Sequence, residues 1–131
     1  MKTKYNQTIG KWGEQVAAEY LSSKGYSVLS RNVYLTAGEI DIVALQAVED
    51  NPFLVFIEVK TRTSLDHGYP EEAFSKTKYQ HLLSSIEEYL EKSPGLPEDW
   101  RIDVIAVVGN PGESDPQIRH FEGYVIADER E

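Results

Sequence analysis

The chain has 131 residues, of which 40% are apolar and 27% charged, a composition that predicts one globular domain over 1–131 and excludes disordered and fibrous proteins. It contains no cysteine, which excludes disulfide scaffolds, thiol catalysis and cysteine-ligated metal centres. The net charge of −9 argues against a nucleic-acid partner, but residues 1–86 are close to neutral and the acidity lies in 87–131.

Nothing in the sequence has the length or composition of a membrane segment. The apolar runs are far shorter than the roughly 20 residues that cross a bilayer. The first residues, MKTKYNQTIG, have no apolar stretch that would make a secretory signal. We therefore expect a cytoplasmic protein that has no membrane partner.

Hydrophobic periodicity and turn residues predict seven elements. In chain order these are a helix over 10–24, strands over 26–34, 39–45 and 53–60, a helix over 71–92, and strands over 101–108 and 118–127. A somewhat long loop around 49–52 is expected to join the second and third strands into a hairpin. Because a strand, a helix and another strand form a parallel crossover, we predict an α/β fold with a mixed sheet.

Three charged residues stand in strands that otherwise look buried. Asp41 and Glu58 are equidistant from the hairpin turn, so they are expected to face each other with Cβ atoms about 5 Å apart. Lys60 shares a strand face with Glu58 because side chains alternate with a period of two. Two acids and a lysine are therefore expected to converge at one end of the sheet.

Carboxylates placed opposite each other repel unless a positive charge compensates them. Mg²⁺ would do so because it prefers oxygen ligands, and it could activate water and hold a phosphoryl oxygen. Glu14 shares a helix face with Ala17, Ala18 and Leu21, so it is expected to join the cluster. The alternative is that each acid is an ordinary solvated residue or, for Glu58, part of a surface ion pair with Lys60.

Three segments carry a resemblance to a known family: GKWGEQVAAEYLSSKGYSVLSRN, GEIDIVAL and FIEVKTR. In this order and spacing they resemble the YraN family of bacterial proteins. That family is similar to the PD-(D/E)XK nucleases and, among them, to the archaeal Holliday junction resolvases. The resemblance implies a restriction-endonuclease-like α-β-β-β-α-β core with a mixed central sheet flanked by helices, here followed by one C-terminal edge strand.

The resemblance also implies roles for individual residues. Asp41 and Glu58 match the metal-binding acids of the superfamily, and the backbone carbonyl of Val59 would be a third ligand of Mg²⁺ or Mn²⁺. Lys60 matches the catalytic lysine. Glu14 matches an acid of the first helix in the resolvase-like branch, where it would orient the attacking water. The chain departs from the pattern at one position, where an isoleucine replaces the proline that gives the superfamily its name.

Other charged residues have two interpretations each. Arg62, Lys76 and Lys78 could meet nucleic-acid phosphates, or they could be ordinary solvated cations. Glu39 could support the acidic cluster or lie on the surface at the strand entry. Arg101 and Asp103 interrupt an apolar strand on the same face, so we predict an internal ion pair with a structural role.

These observations leave three classes of function open. The first is a metal-dependent nuclease-like phosphodiesterase acting on DNA, with branched DNA among its candidate substrates. By analogy with resolvases it would act as a homodimer, since two phosphodiesters must be cut. The second is a module on a nuclease fold that binds nucleic acid or protein without cleavage. The third is a protein-interaction domain that uses the acidic C-terminal third.

Overall fold

The structure is a computed structural model that describes residues 4–126. Its elements are the helix α1 (Lys4–Ser23), the strands β1 (Ser27–Tyr34), β2 (Glu39–Val48) and β3 (Asn51–Arg62), a short 3₁₀ helix (Pro70–Ala73), the helix α2 (Lys76–Glu91), and the strands β4 (Trp100–Val108) and β5 (Gln117–Phe121). The predicted order of elements and the predicted α/β class are confirmed.

The five strands form one mixed sheet in the order β1-β2-β3-β4-β5. Every neighbouring pair is antiparallel except β3 and β4, which run parallel because α2 connects them. β5 pairs with β4 at the edge of the sheet, as predicted. The architecture therefore agrees with the α-β-β-β-α-β core that the sequence implies, followed by a C-terminal edge strand.

The sheet has an apolar core on each face, and one helix covers each core. The face under α1 is packed with side chains that include Ala17, Leu21, Ile42, Ile57 and Ile105. The face under α2 is packed with side chains that include Ile40, Phe56, Leu82, Ile86 and Val104. Since both faces are buried, a charged side chain within the sheet must lie near a strand end or have a partner.

The hairpin between β2 and β3 is tighter than predicted. Its turn consists of Glu49 and Asp50, which both have positive φ angles, of 52° and 65°, as a two-residue type I′ turn requires. Val48 pairs directly with Asn51, so the ladder continues through residues assigned to the loop. The expected symmetry about this turn is nevertheless correct, and with it the register of the hairpin.

Three other predicted boundaries were wrong. α1 begins six residues earlier than predicted, at Lys4. The second helix is interrupted because Phe74 has an extended backbone, and the Ser75 side chain starts α2 by accepting a hydrogen bond from the Lys78 N–H. β5 ends at Phe121, before a turn in which Gly123 has a φ of 63°. The predicted end of that strand, at residue 127, lies outside the described residues.

Gly13 allows α1 to lie close to the end of β3. A Cβ atom at this position would overlap the Thr61 hydroxyl and lie 3.0 Å from Thr61 Cβ. At Gly10, one turn earlier, no described atom outside the backbone of α1 lies within 4 Å of such a Cβ. The close approach at Gly13 brings the next residue, Glu14, to the end of the sheet, where the candidate site is found.

Candidate functional site

The site begins where β2 separates from β3. The paired ladder ends at Ile42 and Ile57. Beyond it, Asp41 Oδ2 accepts a hydrogen bond of 2.8 Å from the Val59 N–H. Ile42 packs under α1 whereas Ile40 packs under α2, so the alternation of the strand changes phase at Asp41. Asp41 therefore lies at the point where the strands diverge.

A cleft of about 300 Å³, here called the α1-side cleft, lies between α1 and the diverging strands. The structure brings all four predicted catalytic residues to its lining, together with the predicted backbone ligand: Glu14, Asp41, Glu58, Val59 and Lys60. Glu14 comes from the helix and the others from the strands. Their convergence follows from the hairpin register and from the approach of α1 at Gly13.

Within this cleft three carboxylates are close enough to share a cation. One oxygen each from Glu14, Glu39 and Asp41 lies within 4.8 Å of the other two. The sequence predicted Glu39 only as a supporting or surface acid, and it did not predict that Glu39 lies directly beside Glu14 and Asp41. The sequence signal for it was the shared parity of Glu39 and Asp41 in β2, but its distance from α1 could not be read from the sequence.

Glu58 forms an ion pair with Lys60, the residue predicted to share its strand face. Its carboxylate lies 3.0 Å from Lys60 Nζ, and both side chains are largely buried, with 15% and 17% of their surfaces exposed. Lys60 Nζ also lies 5.9 Å from the ring centroid of Phe74, the residue that interrupts the second helix. The lysine is thus held at the cleft wall by an acid and an aromatic face.

The electrostatics of Asp41 are those of an uncompensated acid. Burial raises the pKa of its carboxyl well above the usual value, and the negative charge of Glu58 raises it further. The hydrogen bond from Val59 lowers this pKa, whereas Glu14 and Glu39 raise it again. The net upward shift means that the cluster stabilises a proton, or another positive charge, at Asp41.

A second cleft of about 340 Å³, here called the α2-side cleft, opens on the other side of the same acids. It is lined by Ala37, Gly38, Glu39, Asp41, Glu58, Lys60, Lys78, His81 and Leu82. Of the three cations predicted to contact nucleic acid, this lining includes Lys78. Arg62 and Lys76 are not among the lining residues of either cleft.

A separate polar network surrounds Asp103, which is fully buried. The predicted ion pair is confirmed, because Arg101 Nε lies 2.9 Å from Asp103 Oδ1. Asp103 Oδ2 lies 2.7 Å from His120 Nε2, and the Gly123 N–H donates to Oδ1 at 3.0 Å. The His120 partner was missed because it arrives from β5, 17 residues away, without any recognisable spacing.

The pKa of Asp103 shifts in the opposite direction from that of Asp41. Burial acts to raise it, but the hydrogen bonds of His120, Arg101 and Gly123 outweigh burial and leave the pKa below its usual value. On the other side of His120, its Nδ1 lies 3.1 Å from the Tyr20 hydroxyl. This network links β4, β5 and α1 and has the features of a structural element.

Part of the acidic C-terminal third lies at the same end of the sheet as the two clefts. The Asp99 carbonyl accepts from Leu54, near the beginning of β3 and so at the end of the sheet opposite Lys60. The loop after β4, however, starts at the end of β3, where the Gly109 N–H donates to the Arg62 carbonyl. That loop contains Glu113, which therefore lies at the same end of the sheet as the clefts.

Together these features define an α/β protein with an acid-lined cleft at the strand ends of a mixed sheet. Residues 13–107 match the uncharacterised protein family UPF0102. A UPF0102 protein of Syntrophotalea carbinolica is 39% identical over 116 residues, covering 88% of this chain and 89% of its own. A UPF0102 protein of Chlorobaculum parvum is 40% identical over 133 residues, covering 94% of this chain and 96% of its own.

The chain therefore belongs to the UPF0102 family, also called the YraN family, and the resemblance found in the sequence is confirmed. The matched range contains every residue of the two clefts from Glu14 onward and ends before β5, which carries His120. Neither helix within residues 4–126 combines the length and the apolar composition that crossing a bilayer requires.

Proposed function

We propose that this protein is a Mg²⁺- or Mn²⁺-dependent phosphodiesterase that cleaves DNA, with branched DNA among its substrates. The observation that carries this proposal is the convergence of Glu14, Glu39 and Asp41 within 4.8 Å, beside the Glu58–Lys60 pair. Carboxylates and a lysine at one cleft are the groups that metal-assisted attack on a phosphodiester requires.

The donor set fits a hard divalent cation. All three acids offer oxygen, the ligand type that Mg²⁺ and Mn²⁺ prefer, and none offers sulfur or imidazole. The raised pKa of Asp41 supports the same conclusion from electrostatics, since mutual repulsion among the acids is relieved by a positive charge placed between them. Asp41 would be one of the ligands of the cation, and Glu58 and the Val59 carbonyl would be the further ligands implied by the family resemblance.

Different residues of the chain would have different roles in hydrolysis. A bound cation would make its water more acidic and neutralise charge on the phosphate. Glu14 faces the acids from α1, where it can orient the attacking water. Lys60, fixed by Glu58, can stabilise the negative charge that builds up on the phosphoryl oxygens. The water oxygen bonds to phosphorus and releases a proton to solvent, the P–O ester bond breaks, and the departing oxygen takes a proton from solvent.

A cleavage assay on a panel of substrates tests the proposal. Duplex, flap, four-way-junction and single-stranded DNA and RNA would each be incubated with Mg²⁺, Mn²⁺ or EDTA. We expect metal-dependent cleavage of DNA that Asp41→Asn and Lys60→Met each reduce by at least about 100-fold, as loss of a metal ligand or a charge-stabilising donor does. Glu91→Gln, an exposed site at the end of α2, is the charge-matched control and should cleave like the parent.

Two outcomes of this assay contradict the proposal. Activity that persists in Asp41→Asn would come from a contaminant or from another site. The second outcome is metal-dependent binding of DNA without cleavage of any substrate. It would favour a module that binds DNA without cleaving it. Two observations support this alternative: the net charge of −9 and the ion pair that Lys60 forms with Glu58.

A further inference from the structure

The two clefts share one acidic wall but differ in the residues opposite it. Glu39, Asp41, Glu58 and Lys60 line both clefts. On the α1 side the wall faces Glu14, so the described residues that line this cleft include four carboxylates and one ammonium group. On the α2 side it faces Lys78 and His81, so three carboxylates meet two ammonium groups and an imidazole. The two approaches to the site therefore differ strongly in charge.

This asymmetry restricts how a phosphate chain can reach the acids. A nucleic-acid backbone carries a negative charge at every phosphate, and binding depends on cations that neutralise those charges. On the α1 side the phosphates next to the scissile one would meet the fourth carboxylate. On the α2 side they would meet Lys78 and His81, which together offer N–H donors to phosphate oxygens.

The two α2 residues are also held in place for this task. Lys78 and His81 are three positions apart, so they lie on one face of the helix, one turn from each other. The Ser75 side chain caps the first turn through the Lys78 N–H, at 3.2 Å. Leu82, which is 3% exposed, anchors the adjacent turn in the core under α2. The backbone carrying both exposed side chains is thus fixed relative to the acids.

We infer that the α2-side cleft is the substrate-binding side of the site, where Lys78 and His81 contact the DNA phosphates that flank the scissile bond. The α1-side cleft is left for the attacking water held by Glu14. His81 is a substrate-contacting residue that the sequence analysis did not single out. The inference rests on the proposed phosphodiesterase activity and adds to it the direction from which the DNA enters.

The test measures binding and cleavage separately for Lys78→Gln and His81→Ala in the full chain. Fluorescence anisotropy with labelled DNA, in Ca²⁺ to slow hydrolysis, gives Kd across a salt series. Steady-state cleavage in Mg²⁺ gives KM and kcat. Lys92→Gln is the charge-matched control, because Lys92 follows the other end of α2 and pairs with Glu88 in solvent.

We expect each cleft variant to raise Kd and KM by about five- to tenfold while kcat changes less than about twofold. Loss of Lys78 should lower the salt slope of binding by nearly one, as loss of one phosphate contact does. Lys92→Gln should leave Kd within about twofold of the parent. This pattern would separate a phosphate contact in the cleft from a general effect of net charge.

The failure of this inference can be told apart from the failure of the proposed function. If the parent cleaves DNA and Asp41→Asn does not, but the two cleft variants keep the parental KM, the entry side is wrong and the phosphodiesterase stands. An equal loss of affinity in Lys92→Gln would also overturn the inference. If the parent binds without cleaving and the cleft variants weaken binding, the α2-side cleft stands as a DNA site and the enzymatic activity falls.

Discussion

Two aspartates of this protein, the fully buried Asp103 and the partly buried Asp41, have the same chemistry and opposite environments. Asp103 has a histidine, an arginine and a backbone N–H as hydrogen-bond partners, and its pKa is lowered. Asp41 has one backbone N–H, lies near three other acids, and its pKa is raised. Burial acts on both in the same direction, so the difference comes from their neighbours.

The comparison separates a structural carboxylate from a candidate functional one. The negative charge of Asp103 is compensated by side chains of the chain itself, so it contributes to stability. The charge of Asp41 is opposed by its surroundings, and such an arrangement costs stability unless a cation binds. Perturbed acids of this kind, in a cleft and near other acids, are typical of functional sites. Five measurements can break or sharpen this distinction.

The largest effect is expected at the compensated aspartate. Asp103→Ala should lower the free energy of unfolding by about 3–5 kcal/mol, because it leaves buried parts of Arg101 and His120 without their acid. Urea unfolding of the parent and of Asp103→Ala at neutral pH measures this loss of free energy. If Asp103→Ala is as stable as the parent, the hydrogen-bond network does not stabilise the fold, and Asp103 cannot be called a structural carboxylate in contrast to Asp41.

A divalent cation should stabilise the protein only through the other aspartate. At 100 times its Kd, Mg²⁺ should add about 2.7 kcal/mol to the free energy of unfolding of the parent. Asp41→Asn should abolish this gain, whereas a milder network variant, His120→Gln, should retain it. Thermal unfolding with Mg²⁺ and with EDTA gives the comparison. Equal stabilisation of Asp41→Asn would place the cation elsewhere.

Two glycines of α1 test whether helix packing builds the acidic cluster. Gly13→Ala should cost about 1–3 kcal/mol and weaken the Mg²⁺ effect, because its methyl group would push α1 and Glu14 away from Thr61. Gly10→Ala is the matched control, because its Cβ would contact no described residue outside the backbone of α1, and it should stabilise the helix by up to about 1 kcal/mol. Equal effects at the two positions would contradict the role given to Gly13.

The smallest effect is the stabilisation expected from neutralising Asp41 without metal. In EDTA at neutral pH, Asp41→Asn should raise the free energy of unfolding, because it removes a charge that burial and the neighbouring acids oppose. Since the folded pKa is raised, the parent loses stability as the pH rises from the unfolded toward the folded pKa. The advantage of Asp41→Asn should therefore vanish in acid, and stability curves against pH would show it.

The opposite pH dependence is expected at the network. Because the pKa of Asp103 is lowered, its contribution is present above the unfolded pKa and disappears as the pH falls through the folded pKa. Asp103→Ala should therefore approach the stability of the parent in acid. A constant difference at all pH values would mean that the loss comes from packing and not from charge.

Several features of the fold and site could be predicted from local sequence. The order of elements, the symmetry of the hairpin that pairs Ile42 with Ile57 and the internal Arg101–Asp103 pair follow from periodicity and alternation, which act within a few residues. Boundaries were less predictable. The turn at Glu49–Asp50 needs two positive φ angles, which these residues rarely adopt, and the break at Phe74 depends on burying its ring.

What the sequence determined by itself was which residues carry the chemistry, since an acid or a lysine inside an apolar strand is visible as a break in a pattern. Only the tertiary structure decided which of them meet. Glu39 came close to Glu14, Lys78 and His81 of α2 came to line a cleft with the acids of β2 and β3, and His120 met Asp103, each through the packing of separate elements. The physical reason is that alternation assigns a side chain to one face of its strand or helix. The distance between side chains of different elements depends on how the helices pack on the sheet.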